Sequence, residues 1–118
     1  MAIELKPGLA KWEHFGRIKP TLGIIFYDFV QKLKENGITD VCVTSIIRPK
    51  VRDTGVHRAG RAIDIRASFS ESIGEEVMDY INKKYKYDPE RPEIKTCVYH
   101  ATDNAGDPGW HYHLQVLR

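Results

Sequence analysis

Near its C-terminus the chain carries His111-Tyr112-His113, and earlier it carries His57 and Asp64 within Val56–Ala67, "VHRAGRAIDIRA". These residue types can bind a metal ion or move protons. On a strand, side chains two apart share a face. His111, His113 and Gln115 would therefore project together, while Tyr112, Leu114 and Val116 project to the other side. The same parity places Ile63 and Ile65 in the core and Ala62, Asp64 and Arg66 opposite. Asp64 is thus expected to emerge on a polar face rather than be buried among its isoleucine neighbours. If that face also carries the histidines, a carboxylate meets imidazoles. Two histidines and one aspartate, with water in the fourth position, form a catalytic zinc set.

Several elements must position these residues. Leu22, Ile25, Phe26, Phe29, Val30 and Leu33 recur at helical spacing after Pro20-Thr21, and Asn36-Gly37 ends the run. Residues 39–47 are rich in β-branched side chains and read as a strand. Residues 48–60 form a basic loop with glycine and proline, and Gly60–Ala67 reads as the next strand. Ser70 caps a helix from Glu71 to about Lys84, with Ile73, Val77, Met78 and Ile81 inward. Strands follow at 94–101 and 110–117, joined by a loop too short for a crossover, so they should pair antiparallel. Residues 1–19 read as an irregular lead-in with a helical piece near Leu9–Phe15. The expected architecture is α+β: a small, mostly antiparallel sheet with helices packed on one face.

With 118 residues the chain has the size of one domain, 1–118. Its hydrophobic content of 42% and charged content of 29% are globular values that argue against disorder. A formal charge of +2 is too small for a nucleic-acid grip. Cys42 and Cys97 lack C-x-x-C spacing and read as small buried hydrophobes. The N-terminal stretch does not have the pattern of a signal peptide, and no segment is long enough to span a membrane. The expectation is synthesis in the cytoplasm, with no nucleic-acid partner and no membrane insertion.

The segment "GVHRAGRAIDIRA" resembles the S-x-H-x-x-G-x-A-x-D motif of LAS-type zinc metallopeptidases, with His57, Gly60, Ala62 and Asp64 in register. That group contains lysostaphin-like enzymes, D-alanyl-D-alanine carboxypeptidases, phage L-alanyl-D-glutamate endopeptidases and hedgehog domains. "TSIIRP" is similar to the strand that ends in their substrate-binding arginine, here Arg48, and the final H-x-H completes the set. The likeness runs from about residue 20 to the C-terminus. It implies a hedgehog/D-Ala-D-Ala peptidase-like fold and one Zn2+ per chain on His57, Asp64 and His113. It implies His111 as a catalytic histidine and Arg48 as the holder of a substrate carboxylate.

The implied substrate is the peptide part of peptidoglycan, cut by a zinc-activated water. Carboxypeptidase and endolysin-type endopeptidase activity both fit. A monomer is expected, and a phage origin with release by lysis or carriage on the virion fits the same likeness. Two positions depart from the pattern. Gly55 stands where serine or threonine is usual. Trp110 stands where many members have the acid that serves as general base. The base is then Asp107 or His111, with shared roles favoured.

Three other readings compete. A zinc module without catalysis, like hedgehog, fits the missing acid at position 110. A non-haem iron oxygenase uses the same ligand types, but its histidine and carboxylate lie two apart on one strand, unlike His57 and Asp64. A small metal-dependent nuclease would need more basic charge. Arg58 and Arg61 read as solvated loop charges, His14 and His100 as surface histidines, although His100 ends a strand next to the loop carrying Asp107 and could line the cleft, and Tyr99 and Trp110 as packing residues.

Overall fold

The structure is a computed structural model and describes residues 1–7, 10–46, 60–101 and 109–117. A five-stranded sheet runs in the order β1-β2-β3-β5-β4, from β1 (Ala2–Leu5), β2 (Asp40–Ser45), β3 (Ala62–Arg66), β4 (Cys97–Ala101) and β5 (Trp110–Gln115). A short 3-10 helix (Trp12–Arg17) precedes α1 (Pro20–Glu35), and α2 (Glu71–Lys84) joins β3 to β4.

The α+β class holds, but the sheet is mixed rather than mostly antiparallel, because β1 lies parallel to β2. The other neighbours, β2–β3, β3–β5 and β4–β5, are antiparallel. The lead-in is not irregular throughout. Ala2–Leu5 forms an edge strand, and the helical piece starts later than expected, at Trp12. Such a strand has little pattern of its own; its half-buried Ile3 and Leu5 acquire an apolar face only beside β2.

Both long helices follow from their apolar spacing. α1 buries Leu22, Ile25, Phe26, Phe29, Val30 and Leu33, with Pro20 at its start. α2 begins at the Ser70 cap, whose side chain accepts from the Ile73 amide, and buries Gly74, Val77 and Ile81. Ile73 and Met78 pack only partly against the core.

Tyr112 ties the layers together. Its ring lies 5.9 Å from Phe29 of α1, stacks on Phe69 at 5.4 Å and on Tyr99 at 4.6 Å. Burial pushes its hydroxyl up to about 12, so it stays protonated. Gly74 of α2 sits over that hydroxyl, and a Cβ at position 74 would overlap it. This close approach explains a glycine mid-helix, which otherwise costs about 1 kcal/mol relative to alanine. Cys97 is buried and Cys42 half-buried, both as free thiols. Burial raises the Cys97 thiol well above its ordinary range, which makes it inert.

The helices are also tied by Asp28. Its carboxylate accepts from the Tyr85 hydroxyl and pairs with Lys84 Nζ at 2.9 Å. The Tyr85 hydrogen bond first, then that from Lys84, holds the Asp28 carboxyl below its ordinary 3.8. A folded value below the unfolded one stabilises the fold above the ordinary carboxylate range, and that contribution disappears as pH falls towards the folded value.

Two outcomes follow. Gly74→Ala should lower stability by about 1–3 kcal/mol despite the gain in helix propensity, measured by urea unfolding. In thermal melts, Asp28→Asn should be less stable than wild type at neutral pH, with the gap closing as the pH falls below the ordinary carboxylate range. A gap independent of pH would show that the charge is not its source.

Candidate metal centre

β3 and β5 build the site through their register. Ile63 faces Leu114 and Ile65 faces Tyr112, all buried on the side that meets the helices. The alternate pairs, Asp64 with His113 and Arg66 with His111, lie on the opposite side. β4 adds His100 directly across from His111. Beside them the β2–β3 register shifts between Val43 and Ser45, which brings Ser45 opposite Asp64. The Thr44 hydroxyl donates to the Asp64 carbonyl at 3.4 Å. Bulges of this kind often re-aim side chains next to functional sites.

Asp64 Oδ1 lies 2.7 Å from His113 Nδ1 and 3.9 Å from His111 Nε2. The His111 Nδ1 faces the Gly109 carbonyl at 3.4 Å, which leaves Nε2 as the atom turned towards the carboxylate. His100 sets its ring edge against His111, with centroids 4.3 Å apart, and lies 5.8 Å from His113. Parity is therefore as expected, but the burial is not. Asp64 is only 2% exposed and His111 only 5%. Asp64 leaves the isoleucine face without emerging into solvent, and a carboxylate so buried requires cationic or hydrogen-bonding partners.

The structure thus brings together Asp64, His111 and His113. Arg48, His57 and Asp107, together with Gly55 and Arg58, lie outside the described residues. Among the described residues, no three His, Cys, Asp or Glu side chains are grouped to hold a metal ion. Asp64 and His113 supply two donors, a hard oxygen and an imidazole nitrogen at one point, and that chemistry fits zinc. The third donor that the resemblance implies is His57.

Gly60 leads the chain into β3 with φ of +71°. Any Cβ there would also strike the Arg17 carbonyl. The Gly60 carbonyl accepts from the Lys19 amide at 2.8 Å, which fixes the strand's entry against the segment before α1. Arg61 is half-buried rather than a freely solvated loop charge. Trp110 is 55% exposed, lies on the Tyr112 side of the strand and stacks on Tyr99 at 4.8 Å. It cannot stand in for the acid usual at that position.

Two members of this face carry weaker sequence signals. His100 is exposed, and its pairing with β5 sets it across from His111. Strand parity puts the Gln115 amide on the histidine face, and the structure adds its contact with His113 Nε2 at 3.2 Å.

No protein family, curated protein or solved structure matches the chain in the comparisons made. Among the described residues, no helix is long and apolar enough to cross a membrane.

Zinc in hundredfold excess over its Kd should stabilise the fold by about 2.7 kcal/mol, seen as a rise in melting temperature. Asp64→Ala and His113→Ala should abolish the rise. An equal rise in both variants would place zinc elsewhere.

Proposed function

We propose that the chain is a zinc metallopeptidase that hydrolyses peptide bonds of the peptidoglycan stem or cross-link. The observation that carries this reading is the meeting of Asp64 and His113 at 2.7 Å, beside His111, on the sheet face away from the helices. The H-x-x-G-x-A-x-D segment from His57 to Asp64 and the final H-x-H support it as a sequence likeness.

Asp64 and His113, with His57, would hold the ion. Zinc, when bound, supplies Lewis acidity towards the scissile carbonyl and lowers the pKa of a water molecule. His111 would move a proton at Nε2, the nitrogen left available when Nδ1 faces the Gly109 carbonyl. In hydrolysis the water's hydroxyl adds to the carbonyl carbon, the C–N bond breaks, and the water's proton reaches the leaving amine. His111, Asp107 or both would carry that proton. Arg48 would clamp a substrate carboxylate through its planar fork.

A second reading, a zinc-binding module without catalysis, is favoured by one observation. Position 110 holds a tryptophan stacked on Tyr99, not an acid.

The deciding experiment is digestion of purified peptidoglycan by zinc-loaded protein, with the products identified by mass. Released D-alanine would mark a carboxypeptidase, and a new D-glutamate amino terminus an L-alanyl-D-glutamate endopeptidase. His111→Ala should keep zinc and lose about 10²–10⁴ in kcat. Zinc-loaded protein that leaves every peptide bond intact would support the non-catalytic module. Protein that takes up no zinc would refute both readings.

A further inference from the structure

The His113 ring makes two contacts of different character. Nδ1 lies 2.7 Å from Asp64 Oδ1, and Nε2 lies 3.2 Å from Gln115 Oε1. The Gln115 amide is not free to turn over, because its Nε2 donates to the Lys95 carbonyl at 2.8 Å. A flipped amide would set oxygen against oxygen. The backbone there is also held: the Gln115 amide donates to the Thr96 carbonyl at 2.9 Å, and the Thr96 hydroxyl donates to the Tyr85 carbonyl at 2.8 Å. The Gln115 oxygen therefore faces the imidazole, and an amide oxygen only accepts. The proton of this contact must sit on His113 Nε2. In a neutral imidazole the other nitrogen then carries a lone pair.

We propose that Gln115 is a positioning residue that fixes His113 as its Nε2–H tautomer and so presents the Nδ1 lone pair, next to the Asp64 carboxylate, to a divalent cation. This rests on the metal-site reading above and deepens it. Two acceptors 2.7 Å apart repel one another unless a positive charge, a proton or a metal ion, is shared between them. The arrangement Lys95 carbonyl, Gln115 amide, His113 ring thus selects the ligating atom before any metal arrives. Partners that orient a metal-binding histidine are commonly worth about 10–100-fold in metal affinity.

Long-range proton–nitrogen NMR of the histidine rings tests this in the metal-free protein at alkaline pH, with zinc affinity measured in parallel. His113 should be protonated at Nε2 in wild type. Gln115→Leu should give mixed tautomers and weaken zinc binding by about 10–100-fold. Gln115→Glu loses the hydrogen bond to the Lys95 carbonyl but still accepts from Nε2–H, so it should favour the wild-type tautomer and bind zinc more tightly than Gln115→Leu. A wild-type Nδ1–H tautomer would overturn the inference, as would a Gln115→Leu protein whose tautomer and zinc affinity are unchanged. Wild-type protein with the Nε2–H tautomer that binds no zinc would refute the metal reading while upholding the role of Gln115 in setting the tautomer.

Discussion

The contact between the Asp64 carboxylate and the His113 imidazole is what the rest of the structure serves. It joins two strands distant in sequence through side chains that face away from the helical layer. Its geometry depends on register, because a slip of one residue would turn both side chains to the other side of the sheet. Register is held from behind. Ile63 against Leu114 and Ile65 against Tyr112 fill the opposite side, and Tyr112 in turn is locked by Phe29, Phe69 and Tyr99. The hydrophobic effect, which is indifferent to chemistry, thereby sets the position of polar atoms to within a hydrogen-bond length.

Burial gives the contact its consequences. An exposed Asp–His pair is screened and contributes little. Here Asp64 is nearly removed from water, so its charge must be answered locally. His113 Nδ1 lies 2.7 Å away, His111 Nε2 3.9 Å away, and the rings of His100 and His111 meet edge to face. Gln115 closes the far side of His113 and links it to the backbone at Lys95. The loop after α2 therefore reaches the centre through one amide side chain.

Much of this was legible in the sequence because it depends on local periodicity. The α1 stripe from Leu22 to Leu33 and the Ser70 cap needed only spacing and a hydroxyl in the right place. Strand parity separated Asp64 from its isoleucines and put His111 with His113. Pairing was harder. β1 is four residues long and takes its place only from a parallel partner, Val41 beside Ile3. His100 looked like a surface residue because its relation to His111 exists only across strands. The burial of Asp64 and the roles of Gln115 and Lys95 depend on contacts that no local pattern encodes.

The central claim is that Asp64 and His113 share a cation through an oxygen and an imidazole nitrogen. X-ray absorption at the zinc edge of the loaded protein reads that donor set directly. The account predicts a shell of nitrogen and oxygen only, near about 2.0–2.1 Å, with the outer-shell scattering of imidazole, and loss of that imidazole signal in part when His113 is replaced by alanine. A sulfur shell near about 2.3 Å, or a shell of oxygen alone that His113→Ala leaves untouched, would contradict it.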